Sequence, residues 1–334
     1  MEDIIVLLGT NIFITTGGGI GDMIMFTPAL RKLKELYPNC KITILTLKKT
    51  KIIMDRLPYI DKVLGVERGI PFSRWRCLPD LIGQDVAIFT DWQPHVLPFA
   101  KLLGIPYRAG YGRPGKFMTR FLTQNLVNKV SRSTRYAADT NALVFSEALH
   151  IDITGEMTYP DISLPTREEY KKANELLKNE GIQEGSPFVV LAPNASKNER
   201  NWTINNIERF IKQMQNVYNI PVVIVGMGDL YSNEGRLFHN LLNKTSIMEM
   251  VALIEKSKGV ICTDSGPMHI AAALSKPVFP VFNKDLPSRW APRHKCKVID
   301  YNLIGASVDK DGFTPMDVFN GKLIADIAYR NLNN

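Results

Sequence analysis

Short apolar runs rich in β-branched and aromatic residues alternate with helix-patterned segments along most of the chain. In the first half the apolar runs are NIFIT, KITILTL and DVAIFTD, and the clearest helical segment between them is TPALRKLKELYP. The second half repeats this order with PFVVLAP, PVVIVG, GVICTD and PVFPVF, separated by helical segments such as INNIERFIKQMQNVY. Strands that are apolar on both faces are typical of parallel sheets covered by helices. The pattern therefore predicts an α/β protein with two Rossmann-like, doubly wound lobes.

The length of the chain supports two lobes with a cleft between them. At 334 residues it exceeds what one compact core usually contains, since domains average roughly 150 residues. Two prolines and a polar run interrupt the pattern in YPDISLPTREEY, residues 159–170. We therefore predict a first domain over residues 1–163, a second over residues 164–315, and a C-terminal helix over residues 316–334 that packs back toward the first domain.

The composition is that of a soluble globular protein without disulfides. Hydrophobic residues make up 45% of the chain and charged residues 22%, and no apolar run reaches the roughly 20 residues that would cross a bilayer. The N-terminal segment MEDIIVLLGTNIF is acidic where a secretory signal is basic. The four cysteines lie far apart without CxxC spacing, which is typical of reduced thiols. These features predict a cytoplasmic protein.

Positive charge is concentrated in residues 92–138. This stretch contains no Asp or Glu and eight Lys or Arg, within a net charge of +8 for the whole chain. Such a region attracts an anionic partner, whether nucleic acid, phospholipid head groups or a phosphorylated substrate, or it is simply a solvated face. Within it, GRPGKFMTRFL interleaves apolar side chains with Arg113, Lys116 and Arg120. This composition suits shallow contact with a membrane surface, and these three residues are candidates for binding an acceptor or a membrane.

A glycine-rich loop, GGGIGD, follows the first apolar run and precedes a predicted helix. Gly18, Gly19 and Gly21 let the backbone approach a ligand closely, and the N-terminus of a helix favours negative charge. Asp22 stands where a dinucleotide-binding GxGxxG has its third glycine, and no GxxxxGK[ST] is present, so neither nucleotide fingerprint is matched. Two interpretations remain open: Asp22 caps a tight strand-to-helix turn, or its carboxylate takes a proton from a substrate.

The loop APNASKNERNW in the second half offers donors to an anionic phosphate group. Ligands of open α/β sheets bind beyond the carboxyl ends of the strands, and this loop follows an apolar strand. Ser196, Lys197 and Arg200 supply a hydroxyl group and two cations there. The alternative is a capped helix entry whose charges are merely solvated.

The loop CTDSGPMH has the pattern of a strand that leads directly into a helix. The apolar run ends at Asp264, and the next two residues form a turn before a proline that suits the first helical turn. We expect the N-terminus of this helix to bind a diphosphate. The candidate residues are Ser265, Gly266, Pro267, Met268 and His269. For His269 a packed structural role is the alternative.

A fourth loop, MGDLYSNEGR, follows PVVIVG and carries Asp229 and Glu234, either of which can accept hydrogen bonds from ribose hydroxyls. Asp264 is a further candidate for contact with the nucleoside or sugar of a donor. The chain has no HExxH and no cluster of His and Cys, and its DxD, Asp309 to Asp311, lies beyond the last strand. We therefore predict a site without a metal ion or a resident cofactor.

Taken together, GGGIGDMIMFTPAL, APNASKNERNW and TSIMEMVALIEKSKGVICTDSGPMHIAAALSKPVFPVF resemble the bacterial heptosyltransferases of glycosyltransferase family 9, in order from Asn11 to Phe282. The resemblance implies a GT-B architecture, with an acceptor lobe first and a nucleotide-sugar lobe second. It implies inverting, metal-independent transfer of heptose from ADP-heptose to the inner core of lipopolysaccharide. It also implies an anionic, lipid-linked glycan as partner at the cytoplasmic face of the inner membrane, and no nucleic acid.

The resemblance assigns roles to individual residues. Asp22 matches the aspartate taken as the catalytic base, and Arg200 matches the basic residue that binds the diphosphate. Ser196 and the block DSGPMH match positions around the donor, with Ser265 in place of threonine. Two departures stand out: residues 16–19 lack the basic residue that many members carry, and residues 283–285 read NKD where the family usually has GPT.

Three other functions remain open. The same fold and mechanism can serve a different nucleotide sugar or a different acceptor, such as an O-antigen, a capsule or a protein. A nucleotide-sugar epimerase of similar architecture would turn the donor over without an acceptor. A non-catalytic nucleotide-binding module would be insensitive to the replacement of Asp22 by Asn.

Overall fold

The computed structural model describes residues 9–67, 75–91, 95–113, 115–131, 135–155, 157, 159–229, 239–284 and 286–332. The chain divides into two compact units, Met1–Ser163 and Leu164–Asn334. None of the helices within the described ranges is long and apolar enough to cross a membrane.

The first unit is built on a six-stranded parallel sheet with the order β3-β2-β1-β4-β5-β6. Its strands are β1 (Asn11–Thr15), β2 (Lys41–Leu47), β3 (Lys62–Val66), β4 (Val86–Phe89), β5 (Tyr107–Gly110) and β6 (Gln124–Asn125). Its helices are α1 (Ile20–Leu36), α2 (Lys48–Lys51), α3 (Leu97–Leu102) and α4 (Ala137–Leu149), with 3-10 turns at Leu78–Leu81 and Phe117–Phe121. The central strand β1 is buried on both faces, which explains its continuous apolar sequence.

The second unit contains a five-stranded parallel sheet with the order β11-β10-β7-β8-β9. Its strands are β7 (Val189–Ala192), β8 (Val222–Ile224), β9 (His239–Asn240), β10 (Val260–Thr263) and β11 (Val278–Val281). Its helices are α5 (Arg167–Asn179), α6 (Ile204–Lys212), α7 (Ile247–Lys256), α8 (Gly266–Ala273), α9 (Pro287–Trp290), α10 (Tyr301–Ile304) and α11 (Gly321–Leu332). A π-helical turn at Gln213–Val217 and 3-10 turns at Asn198–Arg200 and Met316–Val318 complete it.

The C-terminal helix α11 packs against α6 inside the second unit. Its side chains Ile324, Ala325 and Ala328 are fully buried in the same cluster as Phe210. The apolar face of the helix is therefore used within the second unit, and its packing toward the first unit stays a prediction.

The topology places particular loops at the centre of each sheet. In the first unit β1 lies between β2 and β4, and in the second β7 lies between β10 and β8. Ligands of doubly wound sheets bind at such positions, where loops from neighbouring strands diverge. The glycine-rich loop follows β1, the Arg200 loop follows β7, and the Asp264 loop follows β10. All four predicted loops thus follow the central strand of a sheet or a strand next to it, because the fourth follows β8.

Candidate active site

The side chain of the N-cap residue of helix α8 makes no hydrogen bond to the first backbone amides of the helix. Ser265 takes the N-cap position in an extended conformation, and its hydroxyl donates to the carbonyl of Thr263 at 3.1 Å instead of capping the helix. Ser265 and Gly266 are half-buried, whereas Pro267, which has no N–H, and Met268, whose amide donates to the Ser265 carbonyl at 3.1 Å, are buried. The N-terminus of α8 is therefore suited to an anion.

Arg200 lies next to this helix N-terminus. Its Nη1 is 3.1 Å from Oδ2 of Asp264 and donates to the Asp264 carbonyl at 3.2 Å. The two side chains are only 16% and 11% exposed. This ion pair connects the loops after β7 and β10, and it brings together two residues that the sequence placed in separate candidate loops. A guanidinium has five N–H donors in a planar fork, a geometry that suits a phosphate group.

Two hydrogen bonds hold the loop that carries Arg200. Trp202 is 4% exposed, and its Nε1 donates to the Phe319 carbonyl at 2.9 Å. The amide of Ala195 donates to the side chain of Asn201 at 2.8 Å within the loop. These contacts hold the loop, and the ion pair with Asp264 orients the guanidinium, an arrangement expected of a preorganised anion site.

Asn283 also supports this loop, and sequence reasoning gave it no role. Its side chain is 4% exposed and donates to the carbonyl of Glu199, adjacent to Arg200, at 2.8 Å. The amide of Thr314 donates to the Asn283 carbonyl at 2.7 Å. The sequence did carry a signal for Asn283, since residues 283–285 depart from the GPT that is usual in the family. In the structure, Asn283 connects the loop after β11 to the loop after β7.

The remaining donor-side candidates differ in how they are placed. Ser196 and Lys197 are exposed on the same loop as Arg200. Asp229 is exposed at the end of the loop after β8. Glu234 lies outside the described residues.

His269 is buried in the first turn of α8. It is 4% exposed, and its Nδ1 has no hydrogen-bond partner among the described residues. Burial lowers the pKa of His269 from 6.5 to about 4, because the charged imidazolium would lose its hydration. The imidazole is therefore neutral at pH 7, with one ring nitrogen left for a partner.

We expect this buried histidine to make the protein less stable in mild acid. Between about pH 6.5 and 4 the unfolded chain binds a proton at His269 that the folded chain does not. The free energy of unfolding therefore falls as the pH falls through this window, by up to about 3 kcal/mol. Urea denaturation at pH 7 and pH 5 should show a smaller loss for His269→Leu than for the wild type. Equal losses in both proteins would contradict this prediction.

Asp22 lies in the first turn of α1, at the carboxyl end of β1. Its Oδ2 accepts a hydrogen bond from the amide of Gly19, the N-cap residue, at 2.8 Å. A Cβ on Gly18 would overlap the side chain of Asp22, so only glycine permits this approach. Gly19 is exposed, and Gly21 and Asp22 are half-buried. Asp22 therefore caps its helix, and one carboxylate oxygen remains outside that bond.

The basic segment of the first unit is exposed around the 3-10 turn Phe117–Phe121. The turn has no buried residue, and Phe117 is 56% exposed. The guanidinium carbon of Arg120 lies 3.2 Å from the centroid of the Phe117 ring. Arg113 and Lys116 are exposed just before the turn. The described part of this segment thus combines cations with an accessible aromatic side chain.

Fold and candidate site together define a class: a protein of two parallel-sheet α/β lobes, with Arg200 beside a helix N-terminus in the second lobe. Residues 96–311 match the family model described as glycosyltransferase family 9 (heptosyltransferase), and the chain belongs to that family. The protein is therefore a glycosyltransferase, as the sequence motifs indicated.

Individual relatives cover nearly the whole chain. Over 307 residues it is 22% identical to lipooligosaccharide heptosyltransferase 2 of Haemophilus influenzae. The matched region covers 84% of this chain and 86% of the relative. The structure of a family 9 glycosyl transferase from Veillonella parvula matches with a TM-score of 0.81 and 19% identity, over 98% of both chains. E. coli ADP-heptose LPS heptosyltransferase II matches with a TM-score of 0.77 and 19% identity, over 97% of this chain and 99% of that one. These likenesses confirm the predicted GT-B fold class.

Proposed function

We propose that this glycosyltransferase moves a heptose from ADP-heptose onto a hydroxyl of a lipopolysaccharide inner-core acceptor, with inversion at the anomeric carbon and without a metal ion. Membership of the heptosyltransferase family supports the sugar, and two of the similar proteins are named for lipooligosaccharide or LPS as acceptor and one for ADP-heptose as donor. The observation that carries the proposal is the ion-paired Arg200 beside the N-terminus of α8, an arrangement suited to a diphosphate.

On the donor side, fixed positive groups stabilise the leaving diphosphate. When the bond between the anomeric carbon and the phosphate oxygen breaks, the electron pair stays with ADP and negative charge develops there. Arg200 and Lys197 supply cations, Ser196 a hydroxyl, and α8 its first amides. Asp264 contacts the nucleoside or the sugar of the donor, and either Asp229 or Glu234 accepts hydrogen bonds from the ribose hydroxyls. His269 contacts the diphosphate.

On the acceptor side, Asp22 acts as the general base. It takes the proton of the attacking hydroxyl as the new bond to the anomeric carbon forms, which makes that hydroxyl a better nucleophile. Gly18, Gly19 and Gly21 leave the adjoining backbone without side chains, so that a sugar can approach it. One-step displacement inverts the anomeric configuration and needs no second catalytic carboxylate.

The basic segment with Arg113, Lys116 and Arg120 binds the anionic, lipid-linked acceptor and makes peripheral contact with the cytoplasmic face of the inner membrane. Its exposed cations and Phe117 support this part of the proposal.

Sedimentation with vesicles should show stronger binding to anionic than to neutral lipid. Equal binding to both would overturn the membrane contact.

A panel of nucleotide sugars tests the reaction itself. Released nucleotide is measured for each donor with and without a lipopolysaccharide core acceptor. We expect ADP from ADP-heptose only when the acceptor is present. Release from a different donor would assign another sugar, transfer to a different acceptor would assign another glycan, and turnover of the donor without any acceptor would indicate an epimerase.

A further inference from the structure

The loop after β8 carries the apolar side chain with the largest exposed fraction among the described large hydrophobic residues. Met227 is 81% exposed, at the carboxyl end of a strand that is itself fully buried. When a long, exposed apolar side chain covers a flat, apolar ligand surface, both surfaces are removed from water, which is favourable. Single exposed apolar residues are common, so the significance of Met227 depends on how its loop is held.

Side chains from two neighbouring loops hold Met227 in place. Nδ2 of Asn194, in the loop after β7, donates to the Met227 carbonyl at 3.0 Å. Asn243, after β9, accepts from the amide of Gly228 at 3.1 Å and donates to its carbonyl at 2.9 Å. Gly228 has a φ of +110°, and a Cβ there would lie 2.8 Å from Asn194 Nδ2. The exposed thioether thus stands on a braced turn and not on a free loop end.

The position of this turn relative to Arg200 suggests its ligand. Asn194 belongs to the same loop as Arg200, and β7 lies between β10, which leads into α8, and β8, which leads into Met227. With strands about 4.8 Å apart, the step from β10 to β8 spans roughly 10 Å across the edge of the sheet. An elongated nucleoside diphosphate fits this span with its phosphates at α8 and its base toward β8.

We infer that Met227, held by Asn194 and Asn243, is the surface on which the heterocyclic base of the donor nucleotide rests, and that it contributes to selecting a nucleoside diphosphate over a bare diphosphate. The inference depends on the proposed nucleotide-sugar activity. A thioether makes favourable contacts with an aromatic ring and adapts to its shape. Asn243 is a positioning residue that acts through Met227.

Calorimetric titration with ADP and with inorganic pyrophosphate tests the inference. Met227→Ala should weaken ADP binding roughly two- to tenfold and leave pyrophosphate binding unchanged, because only the nucleoside contact is lost. Met227→Leu should restore most of the ADP affinity. Val217→Ala is the matched control, since Val217 is 61% exposed in the same unit but precedes β8 instead of following it. Unchanged ADP affinity in Met227→Ala would overturn the inference.

A double-mutant cycle tests the positioning role of Asn243. Asn243 has a φ of +59°, so Asn243→Gly removes both hydrogen bonds to Gly228 without straining the backbone. If Asn243 acts through Met227, the double variant should bind ADP no more weakly than Met227→Ala alone. Additive losses would overturn the positioning role. If the wild type binds pyrophosphate but not ADP, the proposed donor is wrong, and this outcome differs from the failure of Met227→Ala alone.

Discussion

Asp22→Asn is expected to lower kcat for sugar transfer by about 10²- to 10⁴-fold, the usual contribution of a general base. The amide oxygen of Asn can still accept the hydrogen bond from the Gly19 amide, so the start of α1 should remain intact. What the variant loses is the ability to take the proton of the acceptor hydroxyl. The affinity for ADP should be unchanged, since the proposed phosphate site lies in the second unit.

Steady-state kinetics with saturating donor and acceptor, together with the melting temperature and ADP affinity, separate these effects. Glu169→Gln is a matched control, because Glu169 also accepts a hydrogen bond from the backbone of its own N-cap residue, Thr166. It should leave kcat unchanged. If Asp22→Asn transferred sugar at a near-normal rate, Asp22 would have only the helix-capping role that the structure shows.

Arg200→Ala is expected to weaken both ADP and pyrophosphate binding by about 10- to 100-fold, the equivalent of roughly 1.5 to 3 kcal/mol for hydrogen bonds to a charged group. It should also destabilise the fold by about 3 kcal/mol or more, because the removal of one partner leaves Asp264 charged and largely buried. Two effects of one substitution therefore have to be separated.

The double variant Arg200→Ala with Asp264→Asn separates them. Removing the carboxylate charge should restore much of the free energy of unfolding, measured by urea denaturation, since the buried negative charge is removed together with its guanidinium partner. Pyrophosphate affinity should stay well below that of the wild type, because no guanidinium is present to bind it. If affinity returned together with stability, Arg200 would have only a structural role.

The order of strands and helices was predictable from the chain because it depends on local pattern. Apolar runs such as those that form β7 and β10 showed strands buried on both faces, and the structure places them side by side and parallel. The turn before α8 was also predictable, since an extended Ser265, a glycine and a proline are suited to a strand that leads directly into a helix.

The candidate site was predictable as a set of loops but not as a set of contacts. Arg200 and Asp264 were both named from motifs, yet their ion pair joins residues 64 positions apart. For His269 the motif favoured a ligand contact and local reasoning favoured packing. Burial shows that the side chain is packed and neutral, while its contact with a diphosphate stays a prediction.

By itself, the sequence determined the fold class, the family and the loops in which chemistry should be sought, because residue periodicity, turn-forming residues and motif spacing are local properties of a chain. Only the tertiary structure decided that Asn283 supports the Arg200 loop, that α11 is buried against α6, and that Met227 stands exposed on a braced turn. These features depend on which distant segments meet in space. The packing of two sheets and their helices sets such contacts, and local pattern does not encode them.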